Sequence, residues 1–272
     1  MRALEVAGVT GLATVQDGGR PGHLHEGVPP GGALVAEALA RANAAVDNPP
    51  GAAGIEVFGA LRIRAVAPAR LGLDDGAAVR MTELRPGDTI ALTCAGARVA
   101  YLAVRGGFDV PLVLGGRGTL LAAALGGHEG RALRRGDLLR IGSAPRVHAA
   151  AGGAPDRAGP VKVTQGPDFD LDPALFARLL ASTFRIDLRS DRVGIRLDGP
   201  RLLRPPADLG ASRPMVRGAI QLPPDGVPIV LGPDHPTTGG YPVLATVIRS
   251  DLGRLAALPI AASVRFAATP RH

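Results

Sequence analysis

The chain has 272 residues, a formal charge of +7, 46% hydrophobic residues and only 3% aromatic ones, with no tryptophan. That length suits one large domain or two modest ones, burying on the order of 70% of the extended-chain surface, so core size is no limit. The way the positive charge is distributed, not its sign, argues against a nucleic-acid partner. Lys162 is the only lysine, and the arginines are spread among Asp and Glu through every segment instead of forming one basic face interleaved with aromatics. The single cysteine, Cys94, excludes an intramolecular disulfide and is expected to fill a strand as a small buried apolar residue. No stretch approaches the roughly 20 apolar residues of a membrane span, and the first residues lack the apolar core of a secretion signal. A cytoplasmic protein with no membrane partner is the expectation.

In chain order, residues 33–46 ("ALVAEALARANAAV") read as a helix that stops before "DNPP". Short strands follow at 59–66, 89–93, 98–104 and 138–141, most of them bounded by Gly, Pro or Asp. Two share a launch signal, "LRPGDTIAL" at Leu84 and "LRRGDLLRI" at Leu133, which suggests two hairpins in a curled sheet or barrel. Residues 143–160 are rich in Ala, Gly and Pro with no structural period. They divide the chain into an N-terminal β-rich domain with one helix (1–145), a linker (146–160) and a C-terminal domain (161–272).

The second part opens with a strand at 161–164 and a helix announced by Asp172 as N-cap with Pro173 in the first helical position. Strands at 229–231, 243–248 and 263–267 and a short helix from Ser250 or Asp251 complete it. No strand–helix alternation appears, so the class is mainly β with a few helices in two β-rich domains.

The usual chemical signatures are absent. "GGRGTLLAAALGG" (115–127) lacks the third glycine of a dinucleotide fingerprint, and no Gly-rich loop runs into Gly-Lys-Ser/Thr. His23 and His25 form one pair where a metal needs at least a third ligand; Pro21 and Pro29 frame them in a turn. No nucleophile elbow and no His-Glu-x-x-His occurs. In "SDRVGIRLDGP" (190–200), Arg192 is either part of a solvated edge or a planar fork for a pair of carboxylate oxygens. The richest stretch is "GPDHPTTGGYPVLATVI" (232–248), a connection between two strands. It concentrates Asp234, His235, Thr237, Thr238 and Tyr241 around Gly239-Gly240, more donors and acceptors than a hairpin needs and suited to an amide or ureido group.

The segments "GLATVQDGGRPGHLHEGVPPGGAL", "ANAAVDNPPGAAGIEV", "AYLAVRGGFDVPLVLGGRGT", "GGHEGRALRRGDLL", "SDRVGIRLDGP", "RGAIQLPPDGVPIVL" and "TTGGYPVLATVI" occur in that order. Together they resemble the biotin-dependent carboxyltransferase family. That family includes the C component of bacterial 5-oxoprolinase, the KipI antagonist, allophanate hydrolase subunit 2 and part of the carboxyltransferase domain of urea amidolyase.

The resemblance covers nearly the whole chain and implies a cyclophilin-like barrel and a KipI-like partner, also called the B component of 5-oxoprolinase. It also implies a role in ATP-driven opening of 5-oxoproline with a further lactam-utilisation subunit. Alternatives within the family are carboxyl transfer from carboxybiotin to urea, or non-catalytic binding of a KipI-like kinase inhibitor. No cofactor is expected to be covalently bound: biotin would sit on a separate carrier, and ATP would be used by the complex.

By the same resemblance, Gln16, Asp17 and Arg20 match a family Val-Gln-Asp-x-Gly-Arg segment, Gln221 a Gly-Ala-Ile-Gln segment, and Thr237, Thr238, Gly239, Gly240 and Tyr241 the Thr-Thr-Gly-Gly-Tyr loop. The family commonly has Arg-Gln where this chain has His235-Pro236. The roles expected are carbonyl polarisation by Thr237, Thr238 and the Gly-Gly backbone, ring cover by Tyr241, carboxylate binding by Arg192 or Arg20, and proton movement by Asp17 or His235. Gln16 and Gln221 would line the substrate site, and no metal is expected.

Overall fold

The computed structural model describes residues 2–148, 158–169, 172–203 and 211–269. Backbone contacts divide the chain into two compact units, Met1–His23 with Pro30–Pro155, and Leu24–Pro29 with Asp156–His272. The centre of the expected linker, 149–157, lies outside the described residues.

The first unit contains β1 (Ala3–Gln16), α1 (Ala36–Ala44), β2 (Gly54–Ala65), β3 (Ala69–Asp74), β4 (Val79–Leu84), β5 (Thr89–Thr93), β6 (Ala100–Val104) and β7 (Leu138–Arg140). They form one seven-stranded sheet in the order β4-β3-β6-β2-β1-β7, with β5 also on β2. Its axis is the antiparallel β1–β2 ladder from Leu4↔Ala65 to Gln16↔Gly54. Gly11 and Gly59 face each other in that ladder with φ of 87° and 106°; a Cβ at either would lie 2.2 or 2.3 Å from a carbonyl oxygen of the opposite strand. Only glycine fits that crossing. Val6, Val15, Ile55, Ile63, Leu71, Leu92 and Leu102 meet in the core over this ladder.

The two Gly-Asp turns are alike in detail. Asp88 and Asp137 accept the N–H of Arg85 and Arg134, each at 2.8 Å, and Gly87 and Gly136 have φ of 93° and 94°. Neither turn closes a hairpin, correcting the expectation: β5 pairs with β2 and β7 with β1, each on a strand distant in sequence from the turn that launches it. Cys94 also differs from expectation. It follows β5 instead of lying in it, half-buried, and burial pushes its thiol above the ordinary range.

Helix α1 is shorter than the sequence pattern and has no side-chain N-cap of its own. Its leading N–H groups are instead met by the sheet. The buried Glu56 carboxylate accepts from Leu34 N (2.7 Å) and from the Tyr101 hydroxyl (2.6 Å), while that hydroxyl oxygen accepts from Val35 N (2.8 Å). At the other end, Asn43 and Asn48, both fully buried, hold each other and the carbonyls of Pro50, Ala52 and Val104.

The second unit contains β8 (Val161–Gln165), α2 (Pro173–Ala181), β9 (Thr183–Ile186), β10 (Gly194–Asp198), β11 (Arg213–Pro214), β12 (Ala219–Gln221), β13 (Ile229–Leu231), β14 (Thr238–Gly239), β15 (Val243–Val247), α3 (Arg249–Ala257) and β16 (Ser263–Ala268). Seven strands close into a barrel in the order β10-β13-β12-β15-β8-β16-β9. Closure removes the sheet edges that would otherwise need protection. Asp172 caps α2 as the sequence indicates, accepting from Ala174 N and Leu175 N. No helix among the described residues is long and apolar enough to cross a membrane.

The Glu56–Tyr101 pair yields a direct test of this architecture. Tyr101→Phe leaves the Val35 N–H without its buried acceptor and takes one of the donors from Glu56 Oε2, which keeps Leu34 N, and should lower stability by about 1–3 kcal/mol. The urea midpoint measures it; an unchanged midpoint would contradict the role given to this network.

Candidate functional site

The expected site residues fall into two groups, one in each unit. In the first unit, β1 ends at Gln16 and delivers Asp17 beneath the loop 116–118. Asp17 Oδ1 accepts from Gly19 N (2.8 Å) and Gly118 N (3.1 Å), and Oδ2 accepts from Arg117 N (2.5 Å). The Gly-rich loop therefore does hold an anion with its backbone, but the anion is the chain's own carboxylate. Gly118 is required there, since a Cβ would lie 2.7 Å from Gln16 Oε1 and 3.0 Å from Asp17 Oδ1. Gln16 is fully buried, donating to Thr119 O (3.0 Å) and Thr14 Oγ1 (3.1 Å). Arg20, 2% exposed, directs its guanidinium to the carbonyls of Gly118 and Val113.

Beside Asp17 opens a cleft of about 630 Å³, walled by Gly51, Gly106, Gly107 and Phe108 with Arg117 at its side. A volume of that order accepts a small molecule. The buried Asn48, which accepts from Gly106 N (2.9 Å) and from Arg105 (3.1 Å), fixes one wall. The sequence offered a signal for it in "RGGFD", whose paired glycines have φ of 99° and 68°.

In the second unit, the loop 232–242 is fastened at both ends by a buried carboxylate. At its start Asp234 takes the fork of Arg192, Nε–Oδ2 2.7 Å and Nη2–Oδ1 2.9 Å, with both side chains at least nine-tenths buried. The carboxylate that Arg192 binds is thus internal, and the pair is neither a solvated edge nor an open fork. At the loop's end Asp168 accepts from Val243 N (2.7 Å) and pairs with Arg213.

Asp168, Arg213 and Met215 were not anticipated, although a repeat announces them. "GPD" occurs at 166–168 and again at 232–234, each time just after a strand. In both copies the glycine packs against a neighbouring backbone, where a Cβ would lie 2.2 Å from Val243 O or 2.1 Å from Arg192 O. In both, the aspartate captures an arginine.

Between these fastenings Thr238 and Gly239 pair with Pro214 and Arg213, and Met215 N donates to Thr237 O (2.9 Å). Gln221 lies under the loop: its amide nitrogen is 3.2 Å from Met215 Sδ and 2.8 Å from where a Cβ on Gly239 would stand. Thr238 and Tyr241 are exposed, and Thr237, Gly239 and Gly240 are partly so. His235, in contrast, is 1% exposed and sets Nδ1 2.8 Å from the Pro236 carbonyl oxygen. Burial pushes its pKa below the ordinary 6.5, with Arg217 adding to the effect and the Pro236 contact opposing it. The neutral ring with Nδ1–H donating is the form this pocket favours. Among the described residues no group of three or more His, Cys, Asp or Glu is placed to hold a metal ion.

A family model described as carboxyltransferase domain, subdomain A and B, matches residues 26–268. The chain belongs to this carboxyltransferase family. It is 35% identical over 270 residues to the C component of Escherichia coli 5-oxoprolinase, covering 93% of this chain and 87% of that protein. Among solved structures, TTHA0988 superposes with a TM-score of 0.85 at 29% identity, covering 98% of this chain and 55% of that one. Kluyveromyces lactis urea carboxylase superposes with a TM-score of 0.87 at 25% identity, covering 97% of this chain and 27% of the enzyme. The carboxyltransferase chain thus spans about half of the first structure and about a quarter of the second.

The buried His235 of this carboxyltransferase domain sets the sign of a pH effect. Its folded pKa is depressed, so below 6.5 the unfolded chain binds the extra proton first. Its contribution to stability is complete above 6.5 and declines as the pH drops below that value. Between about pH 7.5 and 5.5 the wild type should lose more thermal stability than His235→Asn; parallel losses would contradict the assignment.

Proposed function

We propose that this chain is the C component of a 5-oxoprolinase-type complex, acting with a KipI-like B component and a lactam-utilisation subunit to open 5-oxoproline to glutamate at the expense of ATP. The observation that carries this reading is the 35% identity to the C component of E. coli 5-oxoprolinase over 93% of the chain. The loop 232–242 supports it, since it presents hydroxyls and an aromatic face of the kind a planar lactam needs.

In this reading the Thr238 hydroxyl donates to the lactam carbonyl oxygen, where negative charge grows as water adds to the carbon. The Thr237 hydroxyl and the backbone of Gly239-Gly240 complete that contact, and Tyr241 covers the ring. Breaking the ring C–N bond turns the lactam nitrogen into the amino group of glutamate, and the proton it requires comes from the adding water. Arg192 and Asp234, with Asp168 and Gln221, are positioning residues that hold the loop. Asp17 and His235 also act by position, because both Asp17 oxygens are taken by backbone N–H groups and His235 is sealed from solvent. Gln16 and Arg20 fix the loop 112–119 that borders the cleft. ATP is handled by another subunit, since no Gly-Lys-Ser/Thr loop exists in this sequence.

The likeness to urea carboxylase favours a second reading, in which the same loop binds a ureido group and the carboxyl donor is biotin on a separate carrier. Both readings place a planar amide against Thr238 and Tyr241, so the loop variants test the site and the choice of substrate tests the reaction. In the reconstituted complex, Thr238→Val and Tyr241→Ala should each lower kcat/KM for 5-oxoproline by about tenfold or more. Both residues are exposed, so their folding should be unaffected. Full activity in both variants would remove the loop from the site.

A further inference from the structure

We propose that a second cleft in the first unit, ringed by Arg2, Arg70, Arg85 and Arg105, is a binding site for a small organic molecule carrying two or more oxyanionic charges, as phosphate or carboxylate. The site is independent of the lactam reading. Its volume is about 490 Å³, and among the described residues Glu83 is the only acidic one in its wall.

The topology explains how four cations arrive at one place. Arg70 lies in β3, in register with Glu83 of β4, and its carbonyl accepts from Arg105 N (2.8 Å) just beyond β6. Arg85 follows directly on β4. Arg2 is brought in by the start of β1, where Val66 N donates to Ala3 O (3.1 Å) immediately before the turn into β3. Pro68, Ala69 and Leu84 supply an apolar wall beside the charges.

Convergence of like charges is unfavourable unless partners are supplied, and here the chain supplies few. The guanidinium groups of Arg2 and Arg85 make no hydrogen bond or ion pair among the described residues, and both residues are exposed. Arg70 reaches Asp47 only at 3.6 Å and Glu83 at 3.9 Å, and its Nε is buried with no hydrogen-bond partner. Arg105 is the one that is anchored, donating to Asn48 Oδ1 (3.1 Å) and Ala144 O (3.2 Å). A planar guanidinium matches a pair of oxygens on phosphate or carboxylate, and two free forks beside a half-satisfied one call for a ligand with more than one anionic charge. The volume exceeds that of a bare ion, and the apolar wall gives an organic body its contact.

The test uses the full chain in calorimetric titrations with pyrophosphate and with citrate at constant ionic strength. Saturable one-to-one binding of either probe is expected, and the probe that binds identifies the anion class. Arg2→Ala combined with Arg85→Ala should weaken it by about tenfold or more. Arg135→Ala, an exposed arginine outside the cleft, should leave it unchanged. Should the double variant unfold, Arg85→Gln alone carries the comparison, with about a threefold or larger loss expected. Absence of saturation by both probes up to about 10 mM, or equal affinity in the arginine variants, would overturn the proposal.

Discussion

Buried carboxylates must be given donors, and in both units that requirement shapes the loops assigned to function. Asp17 draws the N–H groups of Gly19, Arg117 and Gly118 onto one side chain, which ties the end of β1 to a loop a hundred residues away. Asp234 and Asp168 do the same for the two ends of the loop 232–242, each with an arginine. Glu56 does it for the start of α1. A loop fastened in this way has few alternative conformations, so the exposed groups between its fastenings, Thr238 and Tyr241, are presented in a fixed geometry.

This arrangement also explains which residues serve chemistry and which serve shape. Arg192, Arg20 and Asp17 have the charge expected of a substrate-binding or proton-moving group, yet each is spent on the chain's own backbone or carboxylates. The groups left facing solvent in the loop are neutral donors and an aromatic ring. Those suit the planar amide of a lactam or ureido group, whereas the carboxylate that 5-oxoproline also carries must find its partner outside this loop. Uncommitted positive charge lies at the arginine-lined cleft of the first unit, where the guanidinium groups of Arg2 and Arg85 are not consumed internally.

Much of the fold was legible from local pattern. The strands β5, β13, β15 and β16 and the capped start of α2 fall where alternation and the Asp172-Pro173 signal put them. Strand β1 was missed because Gly8 and Gly11 interrupt its apolar alternation, and those glycines matter only through its partner: Gly11 crosses Gly59 on β2. The parallel pairing of β8 with β16, which closes the barrel, joins residues about a hundred positions apart and leaves no local trace. The site shows the same division. Thr237 to Tyr241 could be read as a polar, glycine-bearing connection, because their role depends on neighbours in sequence. That Arg192 holds Asp234, or that the loop 116–118 wraps Asp17, depends on burial and distant contacts, which composition and spacing do not encode. The repeated Gly-Pro-Asp is the one local mark of the fastening, and the arginines that complete it lie far from it in sequence.

The most direct measurement is product analysis of the complex reconstituted with its KipI-like and lactam-utilisation partners, supplied with 5-oxoproline and ATP in the absence of bicarbonate and of any biotin carrier. Equimolar glutamate and ADP is the expected result. No glutamate under these conditions, together with bicarbonate-dependent carboxylation of urea once a biotin carrier is added, would contradict it and assign the chain to carboxyl transfer.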